Sequence, residues 1–95
     1  MERKINDMYK RFWFEFDIES VFGFPLGIGL GCGVTAIDYD DALQLMDRKI
    51  FSEIKRPPIK KVIENVDIRE LDQGHVIPNM NPPNYRGIWF PWGYD

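Results

Sequence analysis

The chain has 95 residues, with 12 lysines and arginines against 15 aspartates and glutamates, a formal charge of −3 and one cysteine. That length suits a single domain with one modest core, here residues 1–95. The charge lacks the basic field of a general nucleic-acid binder, and one thiol allows neither an internal disulfide nor a cysteine metal cluster.

Residues 1–7 are polar and are expected to fray. From Tyr9 onward, Phe12, Phe14, Phe16 and Ile18 alternate with Arg11, Trp13, Glu15 and Asp17, the period-two pattern of an amphipathic strand. Its phenylalanine face is expected to meet the core. Residues 20–26, with Gly23 and Pro25, then read as a connection into a second, antiparallel strand over residues 27–37. There Ile28, Leu30, Cys32, Val34 and Ala36 share one face, and Gly27, Gly29, Gly31 and Gly33 leave the other bare. Each glycine inside a strand costs roughly 0.5–1 kcal/mol relative to alanine, so four in alternation require something that approaches the backbone closely. Trp13 falls on the same side as the bare face. Either it covers the glycines, a known stabilising device, or the face is a groove for a ligand or partner. Cys32, on the apolar face, reads as a small buried hydrophobe.

Residues 21–37 carry no charge. They hold five glycines and a proline within seventeen positions, too short and too broken for a spanning helix. They also lack the basic flank and terminal position of a signal peptide. The expectation is a cytoplasmic protein that neither spans nor binds a membrane.

Asp38 is placed to cap a helix over residues 39–51, with acidic residues in the first turn where the helix dipole favours them. Tyr39, Ala42, Leu43, Met46 and Ile50 form its apolar stripe, and Asp40, Asp41, Gln44, Asp47 and Arg48 face outward. Capping explains the aspartates better than a metal does, since no histidine completes a ligand set. Lys55-Arg56-Pro57-Pro58 is a stiff connector. Residues 59–66 read as a third strand with Val62, Ile63 and Val66 apolar. Asp67 opens a single capped turn that closes at Gly74. Residues 75–94 contain four prolines and three asparagines, with Arg86 their only formally charged side chain. Residues 87–90 fit a short last strand, which Pro91 confines to a sheet edge or strand end.

Three candidate motifs carry chemistry. Residues 31–36 match the G-x-G-x-x-A dinucleotide pattern but lie inside a strand, with no second βαβ unit, and are rejected. His75 is the only histidine. With Asp72 three residues before it, it suggests either a hydrogen-bonded structural residue or a general base. The third is the aromatic tail. Tyr85, Arg86, Trp92 and Tyr94 are of the types that dominate interface energetics, whereas Trp89 or Phe90 is expected to fold back on the sheet.

Two segments, VTAIDYDDALQLMDRKIF (residues 34–51) and HVIPNMNPPNYRGIWFPWGY (residues 75–94), resemble small bacterial immunity proteins of toxin–immunity systems, including those of contact-dependent growth inhibition. The resemblance covers less than half the chain and transfers no individual residue. It implies a role: cytoplasmic neutralisation of a cognate toxin domain, often a nuclease, by tight binding.

The expected fold is α+β, in the order β-β-α-β-turn-β, a mainly antiparallel sheet of about four strands with one helix on one face. The expected function is stoichiometric inhibition of a toxic protein, without catalysis, cofactor, metal or direct contact with nucleic acid. An acidic surface would steer the chain onto a basic nuclease, making Asp40, Asp41, Asp47, Glu64, Glu70 and Asp72 partner-binding candidates beside the tail residues. One rival is a small enzyme or ligand-binding protein that uses the glycine face with Trp13 and His75. The other is a structural subunit that self-associates through the tail.

Overall fold

The computed structural model describes residues 9–19, 23–25 and 27–94. The fraying expected over residues 1–7, and positions 20–22 and 26 of the first connection, lie outside them.

Four strands form one antiparallel sheet: β1 (Lys10–Phe16), β2 (Cys32–Ala36), β3 (Ile59–Glu64) and β4 (Gly87–Phe90). Their spatial order is β3-β1-β2-β4, so the two central strands are the ones the sequence pairs first. Phe12 lies opposite Val34, and Trp13 opposite Gly33. The helix α1 (Tyr39–Lys49) follows β2 directly. Asp38 is its N-cap, accepting the Asp41 N–H at 2.8 Å. The helix stops two residues before the expected end, where the N–H groups of Ile50 and Phe51 both donate to the Met46 carbonyl and close the last turn.

The helix face of the sheet holds the main core: Phe12, Phe14, Phe16, Val34 and Ile88 from the strands, and Ala42, Leu45, Met46 and Ile50 from the helix and its end. Leu45 was absent from the expected stripe and is buried. Tyr39 was included and is 40% exposed, although its ring still packs against Phe12 and Phe14. Cys32 is fully buried, and that burial pushes its thiol well above the ordinary value.

The opposite face is not bare. Trp13, Val66, Leu71, Val76, Trp89 and Phe90 form a second cluster. It is roofed by the irregular segment after β3, which includes short 3-10 turns at Ile68–Glu70 and Ile77–Asn79. Asp67 caps the first of these through the Arg69 N–H at 3.0 Å. The domain therefore has three layers, not two. Thr35, the one buried polar side chain among the described residues, donates to the Pro83 carbonyl at 2.6 Å and holds the roof to β2. Asn81 N–H donates to the Trp89 carbonyl at 2.8 Å, so the roof also covers part of the β4 edge.

Two further boundaries differ from expectation. The glycine segment becomes a strand only at Cys32; residues 27–30 form a turn, with Leu30 N–H on the Gly27 carbonyl at 2.9 Å and Gly31 N–H on the Ile28 carbonyl at 3.1 Å. Gly27 sits at φ +96° and Gly31 at φ +141°, backbone that glycine alone adopts without cost. Leu30, expected in the core, is 42% exposed as a result. β3 ends at Glu64, and Asn65, in the left-handed region at φ 58°, turns the chain so that Val66 enters the second cluster. Val62 is 41% exposed on this edge strand.

Candidate functional site

The register divides the surface into two ends. Lys10 pairs with Ala36, Phe12 with Glu64, and Thr35 with Gly87. One end of the sheet therefore collects Arg11, the helix N-terminus, Glu64 and Tyr85–Arg86. The other collects the end of β1, the Gly27–Gly31 turn, the start of β3 and the chain after Phe90.

At the second end lies a groove of about 710 Å³. It is lined by Phe24, Pro25 and Leu30 from the connection and turn before β2, by Phe90, Pro91, Trp92 and Tyr94 from the end of β4 and the tail, and by His75 and Asn79. The Gly27 turn fits against the tail because it has no side chain: a methyl there would lie 3.3 Å from the Pro91 ring. Trp92 is 69% exposed, whereas Tyr94 is half-buried and packs on the main core. The lining is dominated by apolar side chains with a few polar groups, the composition of a binding surface.

His75 is held in one orientation. Its Nδ1 lies 3.1 Å from Asp72 Oδ2, and Asp72 Oδ1 accepts the N–H groups of Gly74 at 2.8 Å and of His75 at 3.1 Å. Asn79 Nδ2 donates to the His75 carbonyl at 2.8 Å. The Gly74 N–H, followed by the His75 side chain, holds the Asp72 carboxyl below the usual range. Nε2 of His75 is thus the ring nitrogen left to meet a ligand or partner. Cys32, the chain's one thiol, is sealed in the core and is no nucleophile for this groove.

Trp13 does not line the groove. It is 3% exposed, its ring stacks on Trp89 at 5.9 Å, and its Nε1–H donates to Glu15 at 3.2 Å. A methyl on Gly31 would collide with the Trp13 ring and lie 2.7 Å from the Phe14 carbonyl; one on Gly33 would collide with Trp89. Two tryptophans therefore fill the bare face of the glycine strand. Of the two readings the sequence left open, covering holds for Gly31 and Gly33, while Gly27 and Gly29 border the groove.

The acidic candidates do not converge. Asp41 accepts hydrogen bonds from Arg86 Nε at 2.9 Å, from Arg86 Nη2, and from the Ile37 N–H at 3.0 Å. The Arg86 hydrogen bond is the main reason its carboxyl is held below the usual range. Glu64 pairs with Lys10 at 2.7 Å, and Asp47 with Arg56 at 3.5 Å near the other end of the helix. Asp72 is engaged with His75, as above. Asp40 and Glu70 are exposed and have no ion-pair partner among the described residues. Tyr85 is 76% exposed beside Arg86, far along the chain register from Trp92 and Tyr94. The ten candidates thus fall into separate groups, of which Trp92 and Tyr94 share the groove with His75. Phe24, Pro25, Leu30 and Pro91 were not among the expected contacts. The proline and paired glycines of residues 25–29 were the available signal, because they favour a turn over a strand.

Among the described residues, no three histidine, cysteine or acidic side chains are grouped to hold a metal ion, and no helix is long and apolar enough to cross a membrane. Compared with protein-family models, curated proteins and solved structures, the chain matches none.

Proposed function

We propose that this chain is an immunity-type protein that neutralises a cognate bacterial toxin domain, a nuclease in the favoured case, by one-to-one binding in the cytoplasm. The observation that carries the reading is Trp92, 69% exposed at the edge of an apolar groove of about 710 Å³. A large aromatic held in solvent beside an apolar surface is the usual anchor of a protein interface. The resemblance of residues 34–51 and 75–94 to immunity proteins supports the same role, as does the modest negative charge. Because Asp41, Asp47 and Glu64, three of the six acidic candidates, already hold an arginine or lysine, apolar contact supplies the affinity, and the acids contribute mainly to encounter.

The test is co-expression with the product of the adjacent gene, which this reading expects to carry a toxin domain, followed by titration of its toxic activity. Protection should saturate at one equivalent. Trp92→Ala should weaken binding by about 2 kcal/mol or more, roughly 30-fold, while leaving the fold intact.

A second reading rests on the His75–Asp72 pair. A histidine oriented by a carboxylate beside a groove is also the arrangement of a general base. It requires turnover of a small molecule by the isolated chain, abolished by His75→Ala. Under the immunity reading, His75→Ala still protects.

A further inference from the structure

The other end of the sheet carries a smaller and chemically different pocket of about 230 Å³, in which Arg11 meets Tyr9, Asn65 and Asn84. We propose that it binds a single oxyanion group, a phosphate or a carboxylate. This does not depend on the toxin-binding reading, which uses the opposite end.

Charge is the first argument. Arg11 donates through Nε to the Pro83 carbonyl at 3.4 Å and through Nη2 to Asn84 Oδ1 at 3.0 Å. Both acceptors are neutral. The neighbouring cations are each matched by an acid, Lys10 by Glu64 and Arg86 by Asp41, but Arg11 has no carboxylate partner among the described residues. A guanidinium has five N–H donors in a planar fork suited to oxyanions. Three of them are not used by the two bonds above.

The rest of the wall supplies more donors. Because Asn84 Oδ1 accepts from Arg11, its amide nitrogen is the end left for a ligand. Asn65 and Tyr9, which carry an amide and a hydroxyl, line the same space, and no acidic side chain of the described residues lines it. Asn65 stands there because the chain turns through φ 58° directly after β3. Thr35 is committed to the Pro83 carbonyl at 2.6 Å, which fixes the backbone next to Asn84 before any ligand arrives. The volume lies below the roughly 300 Å³ at which pockets begin to take drug-sized ligands, so the site fits one group of a larger molecule or a small free anion.

The experiment is a titration of the isotope-labelled full chain with inorganic phosphate and, separately, with acetate. It follows the Arg11 Nε–H and the side-chain amides of Asn65 and Asn84 by NMR. The proposal expects shifts at all three that saturate together at millimolar anion. Saturation by phosphate alone identifies a tetrahedral dianion as the ligand, and saturation by acetate alone a carboxylate. Asn84→Asp keeps the acceptor for Arg11 but brings an anion of its own, and should weaken binding at least tenfold. Asn65→Asp tolerates the left-handed backbone and should act in the same direction if the first variant does not fold. Arg69→Gln, which removes an exposed arginine paired with Asp67, should change nothing. Linear shifts at Arg11 no larger than those at Arg69, or a folded Asp variant that binds as tightly as the native chain, would overturn the proposal and leave Arg11 as a clamp on Pro83.

Discussion

Replacing Gly33 by alanine adds one methyl group, which would lie 2.5 Å from Cε3 of Trp89 and closer still to Cζ3 and Cη2. Carbon atoms in contact rest at about 3.5–4.0 Å, so the overlap exceeds an ångström. Backbone strain does not contribute, because Gly33 is not in the left-handed region. The indole cannot swing away easily: Trp89 is 1% exposed and stacks on Trp13, whose ring centroid lies 5.6 Å from that of Phe90. Overpacking of this kind costs about 1–3 kcal/mol. Alanine returns about 0.4–1 kcal/mol by restricting the unfolded chain. The clash wins, with a net loss of about 1–2 kcal/mol, or roughly 4–16 °C in Tm for a domain of this size. Urea and thermal unfolding measure it directly. Trp89→Leu in the same chain should relieve the clash, giving a coupling energy of about 1 kcal/mol in a double-mutant cycle. Trp89 Nε1 has no hydrogen-bond partner among the described residues, so this truncation removes packing and no bond seen there. A Gly33→Ala protein as stable as the native chain would show that Trp89 does not lie on Gly33, and the second core as described would be wrong.

Phe14, fully buried on a central strand, should cost about 3–5 kcal/mol when cut to alanine, whereas Val62→Ala, opposite it on the exposed edge strand, should stay within about 0.5 kcal/mol; equal effects in chemical denaturation would contradict the placement of β1 at the centre of the sheet and β3 at its edge. Asp41 has a carboxyl depressed in the folded state, first by the Arg86 hydrogen bond. Its contribution is therefore present above the unfolded value near pH 4 and is lost as pH falls through the lower folded value. Stability measured from pH 6 to pH 2 should fall more steeply in the native chain than in Arg86→Gln, and parallel curves would remove the pair from the account. Cys32, fully buried with its thiol pushed up, should react with a thiol reagent only as fast as the protein opens, so rapid labelling under native conditions would contradict its burial.

Much of the architecture is legible from side-chain period alone. The Phe12/Phe14/Phe16 alternation names the core face of β1, Asp38 marks the helix start, and Pro91 ends β4. The second core is harder to read, because its members are scattered from Trp13 to Phe90 and its roof has no regular period. The glycine segment misleads for a physical reason. Alternation of glycine with Ile28 and Leu30 suits a strand, but the same glycines permit a tight turn, and local pattern cannot choose between them. The groove depends on that choice. The tail's exposed tryptophan was legible as a contact residue; the side chains that share the groove with it from the first connection were not, since they lie more than sixty residues earlier. The acids looked like a surface field, but pairings such as Asp41 with Arg86 join residues distant in sequence and become visible only in the fold.

The decisive measurement expresses the product of the gene adjacent to that of this chain, assays it for toxicity, and titrates that activity with the native chain, Trp92→Ala and His75→Ala. Toxic activity should fall to zero at one equivalent of native chain, Trp92→Ala should need a roughly 30-fold higher concentration, and His75→Ala should protect as the native chain does. The contradicting result is a folded native chain that neither binds nor protects against that toxin, yet turns over a small molecule in a reaction that His75→Ala abolishes.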